Sequence, residues 1–294
     1  MREDSEVCLF SMTTTHTPTF MKRASCTWRR WRESVVLSPW FGTSWRRLHS
    51  PTLFGWAKAL QSNQNHWPTR LKTPVWLVDP ASIEAWRLEL LSDASCISRK
   101  DLGAGSRLNP NKASAIPTRK LARRSLTPQR DVLALCRWLR CISAAGRFLE
   151  LGTSLGVTSA YVASVGWRVE TWEGCAETLM KAKDGWRRLG LEDRISALRG
   201  SFHSQLEALT SEQRWDVVYI DGCHEEQATI DMVRALEKHV GVCIVVDDIA
   251  WSPGMHCAWE TLKQLPEWRV SFSWRGRGFL LKAPHMTPQH LRLA

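Results

Sequence analysis

Apolar runs separated by polar and glycine-rich joints dominate the second half of the chain. Arg147–Leu151, Val169–Trp172, Ile195–Leu198, Asp216–Ile220 and Val242–Asp247 are short and almost continuously apolar, the pattern of strands buried on both faces. Helical stretches such as Val157–Val165 fall between them, and alternation at this spacing demands right-handed crossovers and a parallel sheet. Trp268–Trp274, the turn Arg275-Gly276-Arg277-Gly278 and Phe279–Lys282 predict a closing antiparallel hairpin. The first half is less regular. Asp79-Pro80 before Ile83, Trp86, Leu88, Leu90 and Leu91 predicts a capped helix, and Thr127-Pro128 before Val132, Leu133, Leu135, Cys136, Trp138 and Leu139 predicts another, with Thr127 as cap. Residues 98–118, with Gly103, Gly105, Pro110 and Pro117, read as a long loop of the kind that forms lids. Residues 1–44 show no sustained period and read as a basic, disordered extension, with Met12 or Met21 as alternative starts.

The chemistry concentrates where the first of these strands ends. Glu150-Leu151-Gly152-Thr153-Ser154-Leu155-Gly156 joins strand to helix through a glycine-bracketed turn that lets backbone approach a ligand. Glu173 closes the following strand, 21 residues past Gly152, where doubly wound folds place a carboxylate on ribose hydroxyls. A nucleoside ligand follows. A dinucleotide turn needs a third glycine, which is missing here, and Glu150 would repel a pyrophosphate but attract a cation. A nicotinamide dehydrogenase is thereby disfavoured.

Phe148–Gly156 resembles motif I of the class I S-adenosylmethionine-dependent methyltransferases. Val169–Cys175 resembles that family's second strand, and Arg199-Gly200-Ser201-Phe202 its adenine-bordering segment. Trp215–His224 and Val242–Trp251 resemble the fourth and fifth strands of its O-methyltransferase-like branch. Leu48–Pro51, Ile83–Arg87 and Asp101–Ser106 resemble the N-terminal part of a bacterial subgroup of that branch. The resemblance spans roughly residues 45–282 and implies an α/β, Rossmann-like, doubly wound and mostly parallel sheet with a closing antiparallel hairpin and N-terminal helices. It implies a division into an extension (1–44), an N-terminal helical substrate and lid region (45–146), a cofactor-binding core (147–284) and a tail (285–294).

The implied cofactor site comprises Glu150, Gly152, Thr153, Ser154, Gly156, Glu173, Gly174, Gly200, Ser201, Phe202 and Asp221. Asp221 and His224 after the fourth strand are the candidate catalytic pair, with His224 as the base for a hydroxyl acceptor. In metal-dependent catechol-type relatives, the positions of Asp221 and Asp247-Asp248 hold a divalent cation such as magnesium. Here Asp248 stands for the family's Asn, and His224 for its Lys. The alternative is that these aspartates merely cap loops. Trp251 and Trp259 are candidate walls of an acceptor pocket, or ordinary packing.

Composition narrows the class without deciding it. The net charge of +11 is uneven: residues 1–146 hold 23 Lys and Arg against 10 Asp and Glu, and residues 147–294 hold 17 against 19. Basic segments at Arg29–Arg32, Arg46-Arg47 and Arg119–Arg124 could contact nucleic-acid phosphates, or simply be solvated. Ribose methylation of RNA is therefore one alternative to a small-molecule acceptor, and a non-catalytic S-adenosylmethionine-binding protein is another. Nine cysteines show no Cys-x-x-Cys pair, which suggests reduced thiols in a cytoplasm. No apolar run approaches the roughly 18–20 residues of a membrane span. Oligomeric state leaves no mark in the sequence.

Overall fold

The computed structural model describes residues 48, 50–61, 76–99 and 114–293. The expectations for residues 1–44, for the basic pairs up to Arg47 and for Asp101–Ser106 lie outside the described residues.

Among the described residues, four helices and a short antiparallel strand pair precede the sheet. They are α1 (Pro51–Gln61), α2 (Pro80–Ser92), β1 (Cys96–Arg99), β2 (Ser114–Pro117), α3 (Thr118–Ser125) and α4 (Gln129–Ile142). Asp79 caps α2 as expected, its side chain accepting from the Ala81 N–H at 3.0 Å. Thr127 does not cap α4. Pro128 holds that position without a side-chain bond, and Thr127 Oγ1 instead accepts from the Thr158 hydroxyl at 3.5 Å. The expected loop over 98–118 is corrected at both ends: its flanks pair antiparallel as β1 and β2, Ile97 opposite Ile116, because both isoleucines find burial there. The basic run Arg119–Arg124 forms α3, which buries Leu121 and Ala122 and leaves Lys120, Arg123 and Arg124 in solvent.

The core follows as β3 (Arg147–Leu151), α5 (Val157–Ser164), β4 (Arg168–Glu173), α6 (Ala176–Arg188), β5 (Ile195–Arg199), α7 (Phe202–Glu207), β6 (Trp215–Ile220), α8 (Glu226–Leu236), β7 (Val240–Val246), α9 (Pro253–Leu262), β8 (Val270–Trp274), β9 (Arg277–Leu281) and β10 (Gln289–Arg292). The strands order β10-β8-β9-β7-β6-β3-β4-β5. Pairing from β7 to β5 is parallel, while β9 runs antiparallel to both β7 and β8, giving the expected hairpin. The order reverses at β3, the switch point where doubly wound sheets open a crevice at their carboxyl ends. The sequence marks 285–294 only as a tail; within it Gln289–Arg292 forms β10, parallel to β8.

Strand alternation sends successive side chains to opposite faces of the sheet. Phe148, Val217, Tyr219, Val245, Phe279 and Leu281 join one buried cluster with α1, α2, α4, α5 and α6. Leu149, Leu151, Val218, Ile220, Ile244 and Val246 join the other with α8 and α9. The indole of Trp138 on α4 meets Phe279 edge-on at 5.0 Å, and Phe279 stacks on Phe272 at 4.4 Å, so the N-terminal helices seal onto the hairpin as well as the parallel strands. On the far edge, Gly185 of α6 leaves room for the Trp86 ring of α2, which a Cβ would overlap. Among the described residues no helix is long and apolar enough to cross a membrane, and the cysteines are free thiols.

Candidate cofactor crevice and acceptor end

The turn after β3 is built from three left-handed residues, Gly152 (φ 99°), Ser154 (φ 47°) and Gly156 (φ 76°). Gly152 is dictated by its neighbour: a Cβ there would overlap the Asp221 carbonyl, so only glycine lets β3 and β6 end side by side. Gly156 serves packing, since its Cβ would stand 2.7 Å from both Ala182 and the Trp186 ring of α6. The Trp186 indole donates to the Gly156 carbonyl at 2.8 Å. The glycine requirement visible in the sequence is thus met by protein–protein contacts at both positions.

Glu173 ties the turn to β4. Its Oε2 accepts from the Ser154 N–H at 2.9 Å and its Oε1 from the Cys175 N–H at 2.8 Å, across the half-buried Gly174 corner. The Ser154 hydroxyl reaches Ser125 at the end of α3 at 2.7 Å, and Thr153 Oγ1 meets Thr171 Oγ1 at 2.6 Å. Beside this corner, Glu177 Oε2 accepts from the Ser98 N–H at 2.6 Å, which anchors the β1–β2 pair over the start of α6.

Glu150 lies beneath the turn rather than in the open crevice. Alternation along β3 puts it on the Phe148 face, where it is 2% exposed and bonded by Ser159 of α5 and by Thr171 at 3.1 Å. Burial pushes its carboxyl up to about 7, against the pull of those two hydroxyls. At the end of β5, Gly200 (φ 156°) donates its N–H to the Glu173 carbonyl at 3.1 Å. Ser201 caps α7 by accepting from the Ser204 N–H, and the Phe202 ring lies against Gly222, where a Cβ would overlap it.

The carboxyl ends of β6 and β7 gather the remaining candidates. The Asp221 N–H donates to the Leu151 carbonyl at 2.9 Å, which places Asp221 beside the motif turn. Burial, reinforced by Asp247, Asp248 and Glu150, pushes its carboxyl well above the usual range, and Arg277 opposes this. His224 is half-buried, with Nε2 3.9 Å from Asp248 Oδ2, its ring 5.5 Å from Trp251, and Nδ1 buried with no hydrogen-bond partner. Trp251 is 40% exposed, whereas Trp259 is buried over Gly278 as core.

Of the three aspartates considered for a cation, Asp247 is engaged by protein groups. Asp247 Oδ2 accepts from the Tyr219 hydroxyl and lies 3.3 Å from Arg277 Nε, while Oδ1 accepts from the Asp248 N–H at 2.8 Å. Among the described residues no group of three or more His, Cys, Asp or Glu side chains is arranged to hold a metal ion. The Arg277 guanidinium lies against the Oδ2 lone pairs that Asp247 would offer a cation. Tyr219, Arg277 and Asp131 are the site residues that the sequence did not announce: Tyr219 sits inside an apolar strand and Asp131 in a helix 116 residues before Asp247, so only the tertiary fold pairs them.

Residues 149–249 match a family described as a methyltransferase domain. An O-methyltransferase, hkm8, of Aspergillus hancockii is 36% identical over 147 residues, which cover 47% of this chain and 55% of that protein. The chain thus spans about half the length of the curated relative it matches. An SAH-bound methyltransferase of Podospora anserina, PaMTH1, superposes with a TM-score of 0.52 at 11% identity, over 70% of this chain and 88% of that one. The O-methyltransferase from Bacillus cereus in complex with SAH gives 0.48 at 18%, over 68% and 89%. The first superposition shows a shared fold, and the family match begins inside β3 and ends just past the Asp247-Asp248 turn. Residues 149–249 thus match a methyltransferase-domain family, and they lie on a Rossmann-like sheet.

Proposed function

We propose that this chain moves the methyl group of S-adenosylmethionine to a hydroxyl of a small molecule. The observation that carries the reading is the crevice itself: Glu173 and the Gly152–Gly156 turn meet at the switch point of the sheet, with His224 following the adjacent strand β6. The similarity to a named O-methyltransferase supports hydroxyl over amine or carbon acceptors.

Bound in the crevice, the cofactor supplies an electrophilic methyl on a sulfonium that leaves without covalent help. The tasks left to the protein are orientation and proton removal. Glu173 presents its carboxylate at the ribose side, with Gly200, Ser201 and Phe202 bordering the adenine. Thr153, Ser154 and Gly156 shape the backbone at the amino-acid end, above the buried Glu150. At the acceptor side His224 Nε2 would take the proton of the acceptor hydroxyl, and Asp248 would stabilise the resulting imidazolium. Trp251 walls the acceptor, and α3, whose Ser125 reaches Ser154, borders the crevice.

The test is incubation of the full chain with methyl-labelled S-adenosylmethionine, a panel of phenols and hydroxylated metabolites, and total RNA. Label in the small-molecule fraction, lost in His224→Ala, is the expected result. Label in RNA instead, or S-adenosylhomocysteine binding without any turnover, would overturn this assignment in favour of an RNA methyltransferase or a non-catalytic binder.

A further inference from the structure

The acceptor end of the crevice contains a cation of its own. Arg277 opens β9, and the antiparallel register that sets Val246 opposite Gly278 brings the next pair, Asp247 and Arg277, together at the end of β7. Its Nε lies 3.1 Å from the Tyr219 hydroxyl and 3.3 Å from Asp247 Oδ2, while Nη1 lies 3.5 Å from Asp131 Oδ2 on α4. Asp131 in turn holds Arg275 Nη1 at 2.7 Å, and the Trp274 ring lies 5.9 Å from the Arg277 guanidinium. Asp131, Asp247 and Arg277 are each no more than 7% exposed. A buried guanidinium with carboxylates on two sides is fixed in direction as well as in charge.

Resting on the methyltransferase reading, we infer that Arg277 is a positioning residue that takes the place of a divalent metal: clamped between Asp247 and Asp131, it holds the turn bearing Asp248 against His224, and the transfer requires no metal ion. Tyr219 and Arg277 occupy Asp247 Oδ2, and the Asp248 amide takes one lone pair of Oδ1. A dication entering there would have to displace the guanidinium or share the space with it, and like charges repel at such range. The left-handed Asp248 (φ 54°) is the point that the clamp controls, because its side chain faces His224 directly after Asp247 is fixed.

The experiment titrates Mn²⁺ into the full chain, followed by electron paramagnetic resonance, together with S-adenosylhomocysteine in excess EDTA and in excess MgCl₂. Arg277→Met and Arg277→Lys are compared with the unaltered chain. The unaltered chain should show no saturable Mn²⁺ uptake, and its S-adenosylhomocysteine affinity should agree within about twofold between EDTA and MgCl₂, a difference well under one hydrogen bond. Arg277→Met, which opens Asp247, should acquire saturable Mn²⁺ binding, and Arg277→Lys, which keeps a cation there, should not. Saturable Mn²⁺ binding by the unaltered chain would overturn the assignment even if the Met variant failed to fold, and so would a folded Met variant that takes up no Mn²⁺. Absence of S-adenosylhomocysteine binding would overturn the methyltransferase reading together with it, whereas Mn²⁺ uptake beside intact S-adenosylhomocysteine binding would remove the Arg277 role alone.

Discussion

The Glu173 carboxylate accepts the backbone N–H of Ser154 at 2.9 Å, so the acid that ends β4 also holds the turn that follows β3. In the proposed reading, one side chain thereby links the ribose side of the crevice to its amino-acid side. Glu173→Ala should weaken S-adenosylmethionine affinity by about 1.5–3 kcal/mol, the range for losing hydrogen bonds to a charged acceptor. Calorimetric titration checks this, and Glu173→Gln, which keeps one acceptor oxygen, should lie between. Unchanged affinity in the Ala variant would remove Glu173 from the site.

Gly152 is a test of geometry rather than of ligand chemistry. Its φ of 99° and the position of the Asp221 carbonyl make any Cβ strained and overlapping, so Gly152→Ala should lower unfolding free energy by about 1–3 kcal/mol even without cofactor. Urea denaturation of the two chains measures it. A variant as stable as the parent would mean that β3 and β6 do not end side by side.

Glu150 predicts a pH dependence. Burial raises its folded-state carboxyl from 4.5 to about 7, so the native chain holds this proton more tightly than the unfolded one. The stabilisation is complete below about 4.5 and is lost as pH rises through about 7. Glu150→Gln, whose amide resembles the protonated acid, should lack this slope. Unfolding of both chains at a series of pH values reads the difference, and parallel curves would contradict the burial of an ionisable group at this position.

His224 predicts a loss confined to the chemical step. His224→Ala should lower kcat by about a hundredfold or more, the usual share of a positioned general base, with S-adenosylhomocysteine affinity unchanged. Steady-state kinetics on an accepted hydroxyl substrate, combined with a binding titration, checks both halves. Full turnover in the variant would assign proton removal elsewhere.

The sheet was legible because its central strands are buried on both faces and so appear as largely apolar runs, and the hairpin because Arg275-Gly276 lies between two more. β10 was not: Gln289-His290-Leu291-Arg292 is polar on its own and becomes a strand only because β8 offers an open edge. The glycines and Glu173 could be found from spacing, but what the glycines accommodate could not. Gly152 makes room for the Asp221 carbonyl and Gly156 for Trp186, contacts that join residues at least 30 apart in sequence. Glu150 turned inward for a reason that was available in principle, since it alternates with Leu149 and Leu151 on a strand covered on both sides. The clamp of Asp131, Tyr219, Asp247 and Arg277 carries no local signal at all, because four different elements contribute one residue each.

The most direct measurement is calorimetric titration of the full chain with S-adenosylhomocysteine and, separately, with NAD. One S-adenosylhomocysteine bound per chain, weakened in Glu173→Ala, and no heat from NAD is the predicted result. Saturable NAD binding with no S-adenosylhomocysteine binding would contradict the account.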